Sequence, residues 1–311
     1  MLLDSADFIP SGAREQLLAP ILRWTILLTL KPVFSPQVSI AAQRRWLKHL
    51  SRAASPARRV DIQSGTVGGV TGNWLRPRQI TDTKPSATIL YLHGGGYCLG
   101  SPATHRALTS YLARSAELPI FAVDYRLAPE HPFPAAIDDA VAAYRGLIEK
   151  SPVVIAGDSA GGGLALATAL ALRQRQIQAP AVLVLFSPWV DLTLSTIAAE
   201  VPKGEVMLST AWLDACARAY LGATEAASPL ASPIYADLHG LPPTLIQAGT
   251  DELLHGQAVR LHNSLLEAGV NVRCEIVPGR WHVFQLHAGM LPSADAAIAR
   301  AAEFISRSLA S

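Results

Sequence analysis

One stretch constrains this chain more than any other. Val153 to Leu164 reads Val-Val-Ile-Ala-Gly-Asp-Ser-Ala-Gly-Gly-Gly-Leu. Its first four residues are apolar and mostly β-branched, which suits a short buried strand. Leu164 to Leu172 is an apolar, helix-forming run. Between them lies Gly157-x-Ser159-x-Gly161. A serine on a sharp turn from strand into helix sits in a sparsely populated backbone region that tolerates no bulk nearby. Gly157 and Gly161 lack a Cβ and leave that room. Ser159 then opens a helix, where free N–H groups favour negative charge. A phosphate-binding loop would end in Gly-Lys-Ser/Thr, and no Lys follows. The stretch reads as an activated serine, weighed against an ordinary Gly-rich turn. The rest of the chain must supply a base, an acid and donors for an oxyanion.

The chain has the rhythm to do so. Strand signals at 59–63, 69–75, 87–92, 119–124, 153–156, 181–186, 244–249 and 270–277 alternate with helical signals at 104–117, 135–150, 164–172, 253–268 and 292–309. That alternation predicts an α/β fold with a mostly parallel eight-stranded sheet and helices on both faces. The first two strands form a hairpin. Two segments fall outside the rhythm. Residues 1–52 read as two helices, one capped by Ser11 and one begun by Ser35-Pro36. Arg44, Arg45, Lys48 and Arg52 give the second helix a solvated basic face. Residues 192–241 hold one helix, 209–221, among Pro, Ala and Ser. Both segments are expected to cap a catalytic domain made of 53–191 and 242–311.

Composition narrows the function. The net charge is +2 over 311 residues, which gives no basic footprint for nucleic acid. The three cysteines, Cys98, Cys216 and Cys274, form no CxxC and no ligand cluster, which fits free thiols in a reducing compartment. Residues 17–34 are the most apolar part of the N-terminus, but Pro20, Arg23, Lys31 and Pro32 interrupt them. No integral membrane span and no secretory leader is expected, and the chain reads as cytoplasmic.

Ligands of open parallel sheets sit beyond the carboxyl ends of the strands. The strand ending at Leu92 runs into His93-Gly94-Gly95-Gly96, whose exposed N–H groups suit an oxyanion hole completed by Ala160. Asp251 follows the strand at 244–249 and is the expected acid, preferred over Glu252 beside it, Asp191 and Asp237. His282 follows the last strand and is the expected base; His287 is its nearest rival. His255 and His262 lie seven apart on one helix face and read as surface or groove residues. No H-x-x-x-H or H-E-x-x-H occurs, so no metal and no cofactor is expected. Tyr97, Asp158, Trp281 and Phe284 adjoin these motifs and are assigned to the substrate pocket. The order Ser159, Asp251, His282 is that of the α/β-hydrolases.

On these residues, together with Asp124-Tyr-Arg-Leu-Ala-Pro-Glu-His-Pro-Phe-Pro-Ala-Ala136 and Asp251-Glu-Leu253, the chain resembles the bacterial hormone-sensitive-lipase-like family of α/β-hydrolase esterases. Its Gly-Asp-Ser-Ala-Gly form points to the subgroup with that motif. The resemblance implies that Ser159 is the nucleophile, Asp251 the acid and His282 the base. It implies an oxyanion hole from Gly94 to Gly96 and Ala160, and a cap from 1–52 and 192–241. It further implies a serine carboxylesterase for short- to medium-chain acyl esters, with a lactone hydrolase or amidase as alternatives on the same triad. A homodimer through the last-strand region occurs in some members. Plant gibberellin receptors resemble the family but lack a working triad, so a non-catalytic binder is the rival of another class. Glu252 departs from the pattern, since many members carry Pro there. In the Tyr125–Pro134 segment, Arg126 is expected to pair with Glu130 or Asp138.

Overall fold

A computed structural model describes residues 2–4, 12–78, 86–195, 197 and 201–310. In chain order the elements are β1 (Leu2–Asp4), α1 (Ala13–Thr29), α2 (Ile40–Leu50), β2 (Val60–Val67), β3 (Val70–Pro77), β4 (Thr88–Leu92), α3 (Arg106–Ala116), β5 (Ile120–Val123), α4 (Ala135–Ile148), β6 (Val153–Asp158), α5 (Ala160–Gln174), β7 (Val182–Phe186), α6 (Thr210–Leu221), β8 (Thr244–Gly249), α7 (His255–Glu267), β9 (Val272–Val277) and α8 (Pro292–Ala310). The strands form one sheet in the order β1-β9-β8-β7-β6-β4-β5-β3-β2. Only β3 runs against its neighbours, β2 and β5.

The eight expected strands are all present. A ninth, β1, pairs in parallel with the outer edge of β9. A partner sheet approaching the last-strand region would therefore meet β1 rather than a free β9. The second N-terminal helix begins later than expected: Ser39, not Ser35, accepts the N-cap bond from the Ala42 N–H. The Ser11 cap lies outside the described residues.

Alternation along the strands sorts side chains onto two faces. From β4, Ile89 and Tyr91 pack with Leu108 and Leu112 of α3 and Ile298 and Ile305 of α8. Leu90 and Leu92 face the other layer, with Ile137 of α4, Leu166 of α5 and Leu261 of α7. Strands β4, β6, β7 and β8 are buried along their whole length, which is why their sequences run apolar without alternation. Truncating one such side chain, Leu90→Ala for example, costs about 2–5 kcal/mol. The carboxyl ends of β4, β6 and β8, together with that of β9, lead into the candidate site residues.

Candidate active site

Ser159 ends β6 and opens α5 with φ 53° and ψ −123°. A non-glycine residue pays strain for a positive φ, and such strain gathers at functional turns. The local glycines make the turn feasible. A Cβ on Gly161 would run into the carbonyls of Leu92 and His93. Ser159 Oγ lies 2.8 Å from His282 Nε2. His282 follows β9 on a loop fixed by Val283, which is itself held at φ 48° and donates its N–H to Ser187 Oγ at 3.1 Å.

Asp251, the expected acid, does not face His282. Asp251 turns outward and pairs with Arg23 of α1 at 2.8 Å. Glu252, the adjacent residue, turns inward, and its Oε1 lies 3.6 Å from His282 Nδ1. Its Oε2 accepts from Ser187 Oγ at 2.7 Å and from the Gly249 N–H at 3.2 Å. Oε1 and Nδ1 are both buried without a hydrogen-bond partner and face each other just beyond bonding range. The physical reason for the exchange is the turn after β8. Consecutive residues there project to opposite sides, and the outer side is claimed by Arg23. Asp191 and Asp237 are also elsewhere. Asp191 accepts from Thr193 and Ser195 in its own turn, and Asp237 pairs with His239.

The glycine loop is held by Asp158. This buried carboxylate accepts from Tyr91 Oη at 2.7 Å and the Gly94 N–H at 3.1 Å, and lies 3.2 Å from His105 Nε2. Burial works to lower the His105 pKa, but the Asp158 charge and hydrogen bond outweigh it and raise it above its ordinary value. Burial likewise opposes ionisation of Asp158, and His105 with Tyr91 reverses this and lowers its pKa. The result is a buried ion pair. His93 stacks on His105 and Tyr125, and burial followed by the His105 charge lowers its pKa to about 3, so it is neutral. Of the expected oxyanion donors, Gly94 is thus engaged with Asp158. Gly95 and Gly96, both at positive φ, donate to no protein acceptor among the described residues. Ala160 supplies the first amide of α5.

A cavity of about 100 Å³ opens over Ser159 and His282. Its walls are Leu30, Phe34 and Leu47 from the N-terminal segment, Met207, Leu208 and Trp212 from the insert, and Val283 and Leu286 beside His282. Phe34 and Trp212 stack at 4.7 Å and join the two segments. Of the four residues assigned to the substrate pocket, Asp158 borders this cavity, whereas Tyr97, Trp281 and Phe284 do not line it. Tyr97 stacks on Tyr220 at 3.8 Å inside the core, and Trp281 and Phe284 are buried there too. These aromatics fill space behind the sheet ends, where their bulk packs the core.

Three further pairings differ from expectation. Arg126 engages Asp139, at 2.8 Å, while Glu130 pairs with Arg44 and Asp138 with Arg175. Arg44 is therefore an anchor for α2, not part of a solvated face. His262 is buried.

A strained serine on the strand-to-helix turn, an imidazole at hydrogen-bond distance and a glycine loop at the next strand end define a hydrolase of the α/β type. The chain belongs to the alpha/beta hydrolase fold family, whose model matches residues 89–286. It is 45% identical over 245 residues to a Streptomyces hygroscopicus protein named acetyl-hydrolase, covering 77% of this chain and 81% of that one. It is 36% identical over 298 residues to an Acinetobacter venetianus esterase, covering 93% and 94%. Among solved structures it matches an esterase/lipase from an uncultured bacterium with a TM-score of 0.87 at 35% identity, over 97% of this chain and 100% of that one. It also matches a hormone-sensitive lipase from a metagenome library with a TM-score of 0.86 at 37% identity, over 92% and 98%.

Proposed function

We propose that the chain hydrolyses short- to medium-chain acyl esters through a covalent acyl-enzyme on Ser159. The ester-hydrolase part rests on its relatives: a chain with these similarities to named acetyl-hydrolases and esterases is a carboxylic ester hydrolase. The rest is a reading of the geometry. The Nδ1–H tautomer of His282, facing Glu252, leaves Nε2 free to accept the Ser159 proton as Oγ attacks the carbonyl carbon. Glu252 orients the imidazole and stabilises its charged form. The tetrahedral oxyanion takes hydrogen bonds from the Gly95 and Gly96 loop and from Ala160, each such donor being worth about 10²–10³ in turnover. His282 then protonates the departing alcohol, and next activates water to release the acid.

Substrate size follows from the cavity. About 100 Å³ is small beside the roughly 300–1,000 Å³ of drug-sized pockets. Its walls are largely apolar, which favours a short acyl chain without charge. Residues 1–52 and 192–241 act as a cap over the body at 53–191 and 242–311, since they supply six of the wall residues. No described helix is long and apolar enough to cross a membrane. The three cysteines are free, which supports a cytoplasmic location.

The observation that carries the mechanism is the 2.8 Å approach of His282 Nε2 to a strained Ser159. Ser159→Ala is expected to lower kcat on a short p-nitrophenyl ester by about 10⁴–10⁶. Activity that survives this change would remove Ser159 from the mechanism. Lactones and amides belong in the same panel, since the triad chemistry serves all three.

A further inference from the structure

We propose that α1 and α2 form a docking surface for anionic phospholipid membranes. On α1, Leu17, Ile21, Trp24 and Leu28 recur at helical spacing and are 64%, 51%, 62% and 69% exposed. They form one continuous apolar stripe on the face opposite Leu22 and Ile26, which are buried. Trp46 of α2 extends the stripe. It is 41% exposed, and its indole N–H donates to the Thr29 carbonyl at the end of α1. Large apolar side chains in this arrangement mark an interaction site.

The charges identify the partner. Residues 12–52 contain seven Lys and Arg but one acid, Glu15. Glu15 is buried and neutralised by Arg280 at 2.5 Å. Arg23, Lys31 and Arg44 point into the protein, onto Asp251, the Glu205 carbonyl and Glu130. Arg45, Lys48 and Arg52 are exposed and have no acidic partner among the described residues. Apart from Arg14, no charge is exposed on α1. An apolar stripe beside uncompensated cations is the pattern of a helix lying in the interface plane of an anionic bilayer. A second copy of the chain fits less well, because it would bring two sets of such cations together. The 17 residues of α1 span about 25 Å along the surface. Leu30 and Phe34 in the connection between these helices, and Leu47 of α2, line the cavity, so docking would place the cavity next to the lipid.

The test is co-sedimentation of the full chain with phosphatidylcholine vesicles, with and without phosphatidylglycerol. Binding is expected to the anionic vesicles only, to weaken with salt, and to shift tryptophan emission to the blue. Leu17→Gln with Leu28→Gln should weaken binding by about tenfold or more, with hydrolysis of a water-soluble ester unchanged. Arg45→Gln, Lys48→Gln and Arg52→Gln together should weaken it by about a hundredfold. Failure to bind either vesicle, or equal binding to both, overturns the proposal. So does a dimer in solution that the two leucine changes abolish.

Discussion

Two buried carboxylate–imidazole pairs flank Ser159, and they are built to opposite ends. Asp158 and His105 approach to 3.2 Å, and the carboxylate also satisfies Tyr91 and Gly94. Every partner is in place, and each group's pKa moves toward the charged form. Glu252 and His282 stand 3.6 Å apart, with one atom of each left without a partner. The first pair is saturated and holds the glycine loop still. The second is loose at Nδ1, on the side of the imidazole away from Ser159, and hydrogen bonds in catalytic sites often tighten only when substrate is bound. A satisfied buried network rigidifies, whereas an unsatisfied one retains energy that a small shift can release.

The largest effect should come from the loose pair. Glu252→Gln preserves shape but removes the charge that stabilises imidazolium, and it permits the wrong tautomer. A fall of about 10⁴ in kcat is expected, with the melting temperature nearly unchanged. A loss below tenfold would remove Glu252 from the proposed mechanism and erase the distinction between the pairs.

Asp158→Asn should act on stability instead. It leaves the His105 charge buried without its counter-charge, a kind of change that costs about 3–5 kcal/mol. Adding His105→Gln should recover part of that loss, because the stranded charge goes with it. Urea unfolding of the two single variants and the double reads this directly. Additive losses would show that the two residues are not a pair.

Acid should probe the same region. Burial lowers the pKa of His93 to about 3 and of His287 to about 4, against about 6.5 when unfolded. Below pH 6.5 the unfolded state therefore takes up the proton first, and stability falls until each folded pKa is passed. At pH 5 each histidine removes on the order of 2 kcal/mol. His105 runs the other way, since its raised pKa contributes below about 6.5 and fades as pH rises through its folded value. A His287→Gln variant should show a shallower decline in the urea midpoint from pH 7 to pH 5 than the parent. An identical decline would deny that His287 is held neutral.

Much of this was legible in the sequence, and the reasons divide by region. Strand ends are readable because backbone topology places them: Ser159, His282 and the 93–96 loop all follow buried strands whose composition marks them. Glu252 was not separable from Asp251, because two acids in sequence on one turn carry the same signal and only Arg23, 228 residues away, separates them. Asp139 against Asp138 is the same problem on a helix. The cavity walls were least legible. Leu30, Phe34 and Trp212 lie outside the strand rhythm, and an apolar residue there looks the same whether it lines a cavity or fills a core. The exchange of Ser35 for Ser39 as cap shows the usual drift of helix ends.

The smallest expected effect sharpens the comparison most. Asp251 and Glu252 share a turn, a charge and the same chain neighbourhood, so any difference between their variants must come from what each faces. Asp251 faces Arg23, with both side chains more than a quarter exposed. Such a pair contributes about 0–1 kcal/mol. Asp251→Asn should therefore lower kcat by less than tenfold and shift the unfolding midpoint only slightly. Its remaining influence would pass through the tie from α1 to the 250–252 turn, and Arg23→Ala should reproduce it. If Asp251→Asn instead matched Glu252→Gln in kcat, the turn would have to place Asp251 against His282 during turnover. The outward carboxylate would then be the one that moves.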